Sequence, residues 1–190
     1  MLLEREQLKA IPTQYRRIQF KSTLAAKWAV FFDHIETQWI YREKPAAHKI
    51  VTNYTPDFYL KNVGWIDITP KMDFLSQKLP LIRRFAGEAI SHGQSYFVFC
   101  SEEVSDHRIE RWSRDERFEG YQFDTCVECG FSIVGRNRGE IESSACNENR
   151  HEHPVFKIRP FTEIFEQVNR SWNVDKIDGH RILIPKASHS

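Results

Sequence analysis

The chain has 190 residues and a mass of 22.5 kDa, which is enough for one ordinary domain with a small appendage. Its 27 Lys and Arg nearly balance its 26 Asp and Glu, so a polyanion would have to bind a local basic patch rather than the field of the whole molecule. No apolar run is long enough to cross a bilayer, and the opening residues MLLEREQLKA lack the pattern of a signal peptide. We therefore expect a soluble, cytoplasmic protein that does not bind a membrane.

Helical and strand-like patterns alternate along the first hundred residues. Ser22 is a predicted N-cap, and the apolar residues after it recur at helical spacing to about Glu36. Three strands follow, over 39–42, 53–60 and 64–69. A second amphipathic helix is predicted from 73 to about 92, although Pro80 should kink it or split it in two. It leads into a strand over 95–100, so this last strand arrives by a helical crossover.

This order predicts an α/β core, over residues 1–103, made of a helix, a three-stranded meander, a helix and a strand. The residues 104–125 are rich in charge, and we expect them to form a helical connector. Residues 126–190 are predicted to form a small appendage with a C-terminal helix over 160–173.

Three cysteines in the predicted appendage have the spacing of zinc ligands. The turn CVECG contains Cys126 and Cys129, and Cys146 follows at a finger-like distance. His151 and His153 come next, and either one completes a tetrahedral site for a structural zinc ion. The alternative is a set of buried free thiols, which does not explain the CxxCG turn in a region with few apolar residues. We explain Cys100 differently, as the end of a buried strand.

Two acids lie at matching places on neighbouring predicted strands. Asp57 precedes one apolar run, and Asp67 lies in the next. Strand alternation places Asp67, Thr69 and Lys71 on one face, while the isoleucines between them enter the core. Paired carboxylates suit a hard cation such as Mg²⁺. Taken singly, Asp57 is explained as the start of a strand and Asp67 as part of a solvated face.

Residues 20–71 resemble the core of the PD-(D/E)XK nuclease superfamily, particularly small proteins of phages and mobile elements. The likeness lies in FKSTLAAKWA of the first helix, in YTPDFYL and in WIDITP. The resemblance implies a restriction-endonuclease-like core that hydrolyses phosphodiester bonds in DNA, with Mg²⁺ or Mn²⁺ held by Asp57 and Asp67. Similar proteins often carry a cysteine knuckle after the core, in keeping with the predicted zinc unit.

The chain departs from this resemblance at two positions. Thr69 stands where the superfamily has a lysine, and Ala25 stands where relatives often carry a glutamate. Three explanations remain open. Lys71 can replace the lysine from two residues further along the strand, the chain can be an inactive relative that kept the fold for binding, or Ala25 can be an introduced substitution that disables catalysis.

The sequence thus predicts a metal-dependent DNA endonuclease, inactivated in this chain if the missing residues are not replaced. The alternative is a noncatalytic DNA-binding or regulatory protein on the same fold, and oligomerisation or a protein partner stays open. Basic residues near the first two helices and in the zinc region are candidate phosphate contacts. They are Arg16, Arg17, Lys21, Lys78, Arg83, Arg84, Arg136 and Arg138.

Overall fold

A computed structural model describes residues 10–61, 63–104, 109–125, 132–136, 162–177 and 180–185. These residues form a mixed α/β fold with two sheets and three α-helices, which confirms the predicted α/β class. None of the helices in these ranges is long and apolar enough to cross a membrane. Several predicted site residues lie outside the described ranges: Cys126, Cys129, Arg138, Cys146, His151 and His153.

The α-helices begin where local sequence signals place them. They are α1 (Thr23–His34), α2 (Leu79–Ser91) and α3 (Thr162–Ser171), and short 3-10 helices cover Pro45–His48 and Met72–Lys78. Ser22 is the N-cap of α1, as predicted, and its hydroxyl accepts the N–H of Ala25 at 3.1 Å. Pro80 lies in the first turn of α2, where a missing N–H costs no helical hydrogen bond. The predicted second helix is therefore split, as Pro80 had indicated.

Eleven strands make up the two sheets of the described residues. They are β1 (Thr13–Tyr15), β2 (Ile18–Phe20), β3 (Trp39–Tyr41), β4 (Phe58–Leu60), β5 (Gly64–Thr69), β6 (Tyr96–Cys100), β7 (Ile109–Trp112), β8 (Arg117–Thr125), β9 (Ser132–Arg136), β10 (Trp172–Ile177) and β11 (His180–Pro185). The larger sheet has the order β3-β4-β5-β6-β7-β8-β9. In it β5 and β6 are parallel and all other neighbours are antiparallel. The predicted meander and helical crossover are both confirmed.

The prediction of a helix in the charged segment 104–125 is wrong, because β7 and β8 continue the larger sheet there. Ile109 and Trp112 are buried, and Glu110 between them is fully buried as well. The Trp112 indole donates to the Glu110 carboxylate at 3.1 Å. A charged residue is thus part of the interior here, which hides the strand pattern in the sequence.

The smaller sheet, with the order β10-β11-β1-β2, joins the two ends of the described chain. Its β11 runs parallel to β1, with Gln14 opposite Ile182. Helix α3 packs on α1, and Phe165, Val168 and Leu183 are buried in the same apolar cluster as α1. The described residues of the predicted appendage therefore complete the core of the N-terminal part.

Two apolar clusters cover the two faces of the larger sheet. One contains the buried side of α1 together with Ile66 and Ile68 of β5. The other contains the buried side of α2 together with Trp65 of β5. The alternation along β5 consequently places Asp67 and Thr69 on the face that α2 covers.

Candidate active site

Asp57 and Asp67 come together at the neighbouring strands β4 and β5. The antiparallel register sets Phe58 opposite Ile66, which brings the residue before β4 beside Asp67. The Ile68 N–H donates to Oδ2 of Asp57 at 2.8 Å. Both acids are buried, with exposed fractions of 4% for Asp57 and 3% for Asp67. The interpretation of Asp67 as part of a solvated face is therefore wrong.

Among the described residues, Lys21 is the cation that contacts Asp57 of this acid pair. Its Nζ lies 2.5 Å from Oδ2 of Asp57, and its side chain is 38% exposed. The residue stands between β2 and the N-cap of α1, and its backbone N–H donates to the Tyr41 hydroxyl at 2.8 Å. The sequence marked Lys21 only as a candidate phosphate contact. Its pairing with Asp57 depends on β2, which was not predicted.

Two tyrosine hydroxyls hold Asp67. Tyr54 donates to Oδ2 of Asp67 at 2.5 Å, and Tyr96 donates to the same oxygen. Sequence reasoning missed both. The signal was available for Tyr96, because a tyrosine inside a continuous apolar strand needs a partner for its hydroxyl.

The charges in this cluster shift one another's pKa values. Burial, with the charge of Asp57, raises the pKa of Asp67 to about 6, against the opposing effects of Lys21 and the two tyrosine hydrogen bonds. Burial lowers the pKa of Lys21, but the charges of Asp57 and Asp67 outweigh it and raise that pKa above 10.5. Burial and the charge of Asp67 also raise the pKa of Tyr54 and of Tyr96. Lys21 is thus charged at neutral pH, and both tyrosines keep the protons they donate.

The other predicted catalytic positions make different contacts. The buried Thr69 donates its hydroxyl to the backbone carbonyl of Lys71 at 2.7 Å. Lys71 pairs with Glu102 at 3.1 Å, and both side chains are more than half exposed. Ala25 lies in the first turn of α1 and is fully buried. The contacts of the described residues thus bring Lys21, and not Lys71, to the acids.

The remaining basic candidates do not converge on the acids through any contact of the described residues. Arg16 pairs with Asp33 at 3.0 Å. Arg17 is exposed at the turn between β1 and β2. Lys78, at the end of the second 3-10 helix, is exposed, and so are Arg83 and Arg84 of α2. Arg136 belongs to β9, where it is paired with Tyr121 of β8.

The donor set of the site fits one hard divalent cation. The four hydrogen bonds described above end on the Oδ2 atoms of the two carboxylates, and both carboxylates are candidate ligands. Mg²⁺ commonly takes one or two carboxylates and completes its shell with water and substrate phosphate. Within the described ranges no group of three His, Cys, Asp or Glu side chains is arranged to hold a metal. Asp57 and Asp67 are the two candidate protein ligands for such an ion.

Comparisons with models of known protein families, with curated proteins and with solved structures found no match for this chain. Any functional proposal depends on the residues of the chain itself.

Proposed function

We propose that this protein is a metal-dependent nuclease of the PD-(D/E)XK type, which hydrolyses phosphodiester bonds in DNA on a restriction-endonuclease-like core. The observation that supports the proposal is the convergence of Asp57, Asp67 and Lys21 from three separate segments of the chain. Burying two carboxylates side by side is costly unless they are paired or hold a cation. The order of α1, the β3–β5 meander, α2 and β6 agrees with the fold that the resemblance implies.

In this proposal Asp57 and Asp67 hold Mg²⁺ or Mn²⁺. A divalent ion bound there supplies a water of lowered pKa and offsets charge on the phosphate. The chain holds the two carboxylates in place before substrate arrives, since the Ile68 N–H donates to Asp57 and the hydroxyls of Tyr54 and Tyr96 donate to Asp67. Such preorganisation avoids rearrangement of the site during the reaction.

A structural zinc ion remains part of the proposal. Its ligands are Cys126, Cys129, Cys146 and one of His151 and His153, at the spacing of a zinc knuckle. We expect the purified protein to contain one equivalent of zinc and its knuckle thiols to react slowly until a chelator removes the metal. Well under one equivalent, with all thiols freely reactive in the native protein, would contradict this prediction.

A noncatalytic DNA-binding or regulatory protein is the second candidate function. It is favoured by the way the acid pair is satisfied from within, by Lys21 on Asp57 and by two tyrosines on Asp67. The Thr69 hydroxyl also donates its proton to the Lys71 carbonyl, so that proton is already used in a hydrogen bond within the protein. Under this reading the cluster is a structural ion pair inherited from a nuclease.

A cleavage assay separates the two candidates. Supercoiled plasmid and single-stranded DNA are incubated with the protein and Mg²⁺ or Mn²⁺, and binding is measured in parallel with Ca²⁺. The test variant is Asp57→Asn, and the matched control is Asp73→Asn, because Asp73 is an exposed acid outside the cluster.

The nuclease proposal expects metal-dependent cleavage that Asp57→Asn abolishes and Asp73→Asn preserves. DNA binding without cleavage, in both the unsubstituted chain and the Ala25→Glu variant, would favour the noncatalytic function. A protein that neither cleaves nor binds DNA would exclude the nuclease and DNA-binding functions.

A further inference from the structure

We propose that Lys21 is the residue that contacts the substrate phosphate at this site. The inference deepens the proposed function and rests on it, because it names the cation that meets the phosphodiester. The carboxylates of Asp57 and Asp67 repel an incoming phosphate, so a positive charge from the protein favours binding at this point in addition to any metal. Three features of Lys21 suit it to that task.

The first feature is exposure. The side chain of Lys21 is 38% exposed, whereas that of its partner Asp57 is 5% exposed. Asp67 is equally shielded, at 3%. Of the three charged residues, Lys21 is therefore the one with the most exposed side chain. An ammonium carries three donors, and its contact with Asp57 uses one of them.

The second feature is a fixed position. The Lys21 N–H donates to the Tyr41 hydroxyl, and the residue follows the fully buried Phe20, whose ring packs 4.4 Å from that of Tyr41. Ser22 on the other side is the N-cap of α1. A lysine held at both flanks and at its ammonium loses less freedom on meeting a ligand than a lysine on an open surface does.

The third feature is that Lys21 contacts an acid of the site, whereas the other candidate residues, Lys71 and Thr69, have other partners. Lys71, the other lysine near the end of β5, pairs with Glu102, and Thr69 donates to the Lys71 carbonyl. Neither makes a contact with the acids within the described part of the chain. The competing explanations of Lys21 are that it only neutralises Asp57, or that it occupies the place of the metal and blocks the site.

The experiment compares Lys21→Met, Lys21→Arg and the matched control Lys61→Met, an exposed lysine at the turn after β4, in the 190-residue chain. Three quantities are measured: the single-turnover cleavage rate of plasmid with Mn²⁺, the affinity for DNA with Ca²⁺ as a function of salt, and the affinity for Mn²⁺ alone. Thermal unfolding of each variant shows whether it is folded, and Lys21→Arg keeps the charge pair where Lys21→Met fails to fold.

We expect Lys21→Met to cleave about 10² to 10³ times more slowly, as for the loss of one contact to a developing charge. The slope of log affinity for DNA against log salt should fall by about one, as for one lost phosphate contact. Lys21→Arg should keep that slope and recover part of the rate. Lys61→Met should keep the rate, and Mn²⁺ should bind Lys21→Met at least as tightly as the unsubstituted chain.

Other outcomes overturn the inference. A normal rate and salt slope in Lys21→Met would show that Lys21 only neutralises Asp57. Faster cleavage with tighter Mn²⁺ binding would show that Lys21 blocks the site. Failure of the nuclease proposal is recognised separately, because the unsubstituted chain then cleaves no DNA with either metal. The slope of DNA affinity against salt still tests the phosphate contact in that case.

Discussion

Asp67 carries a cost to stability that its surroundings only partly offset. Burial is the main reason that its pKa rises from 3.8 to about 6, and the charge of Asp57 adds to the rise. A folded-state pKa above the unfolded value means that the folded protein binds this proton more tightly than the unfolded chain does. Ionised Asp67 therefore destabilises the fold. The penalty is absent below pH 3.8, develops as the pH rises towards about 6, and is full above that pH.

We predict that Asp67→Asn stabilises the metal-free protein at pH 8. A shift of this size corresponds to about 3 kcal/mol at most, and asparagine keeps an oxygen that accepts from the tyrosine hydroxyls, so we expect a gain of about 1 to 3 kcal/mol. The gain should disappear at pH 4. Urea unfolding with EDTA at pH 4, 6 and 8 measures it, with the exposed Asp73→Asn as control. A loss of stability that is the same at every pH would contradict the prediction.

Ala25 permits a second test at the scale of one residue. It is fully buried in the first turn of α1, three residues after the N-cap Ser22. We predict that Ala25→Glu lowers stability without metal, because it buries a charge, and tightens Mn²⁺ binding by restoring the glutamate oxygen that the resemblance implies at this position. Thermal unfolding with and without Mn²⁺ measures both effects.

The control for this variant is Ala29→Glu, since Ala29 is equally buried and lies about one turn further along the same face of α1. It should lose stability without gaining any from Mn²⁺. If Mn²⁺ restores neither variant or both equally, the position of Ala25 has no special relation to the acids.

The sequence predicted that Asp57 and Asp67 meet, because strand alternation and a short turn determine which residues share a face. It did not predict the partners of these acids. Tyr54 precedes β4, Tyr96 belongs to β6, and Lys21 follows β2, so each contact depends on tertiary packing between segments distant in sequence. The residues next to an acid in the sequence do not predict such contacts.

At the scale of elements, the turn between β4 and β5 sets the register of the acid pair. Leu60 is opposite Gly64 across this turn, and Gly64 has φ +114°. A Cβ at Gly64 would lie 2.4 Å from the carbonyl oxygen of Ser95. That carbonyl accepts the Trp65 N–H at 2.9 Å, so it cannot move away without loss of the bond. Only glycine fits both the backbone angle and the space.

We predict that Gly64→Ala destabilises the protein by more than Gly93→Ala. Gly93 also has a positive φ, +70°, but a Cβ there would meet nothing within 4 Å. Gly93→Ala should therefore cost only the left-handed backbone, about 1 kcal/mol. Gly64→Ala adds a steric clash, and we expect it to cost about 2 to 4 kcal/mol in total. Urea unfolding of both variants measures the difference, and equal losses would show that the Ser95 carbonyl moves freely.

Strong periodicity explains which elements the sequence predicted. Helices α1 and α2 and strands β3 to β6 have clear apolar patterns. The hairpin of β1 and β2 has strands of three residues and a turn in which Arg16 and Arg17 take φ values of 47° and 65°. Such turns usually contain Asn or Gly, so two arginines give no turn signal. The many charged residues of the segment 104–125 likewise obscure the apolar alternation that would have indicated strands β7 and β8.

At the scale of the whole molecule, the C-terminal elements pack on the N-terminal helix. The ring of Phe165 in α3 stacks 4.7 Å from that of Phe31 in α1. The side chain of Asn169 accepts the N–H of Val104 at 3.2 Å and donates to its carbonyl at 2.9 Å. The sequence predicted a core of residues 1–103 that is separate from the C-terminal helix. Long-range contacts of this kind have no local sequence signal. The sequence of an amphipathic helix indicates that one face is buried, but it does not identify the element that covers that face.

We predict that Phe165→Ala destabilises the entire fold, including the acid cluster, and not only the C-terminal elements. Phe165 is 6% exposed, and removing a buried phenylalanine side chain typically costs about 3 to 5 kcal/mol. The control is Phe74→Ala, because Phe74 is 43% exposed and should lose little. Urea unfolding should show one transition, shifted to lower urea in Phe165→Ala, with Mn²⁺ binding lost in the same transition. Lys21 directly precedes the N-cap of α1, so unfolding of that helix removes the cation from Asp57. If residues 1–103 instead fold independently, Phe165→Ala will produce two transitions, and the one that abolishes Mn²⁺ binding will stay where it is in the unsubstituted chain.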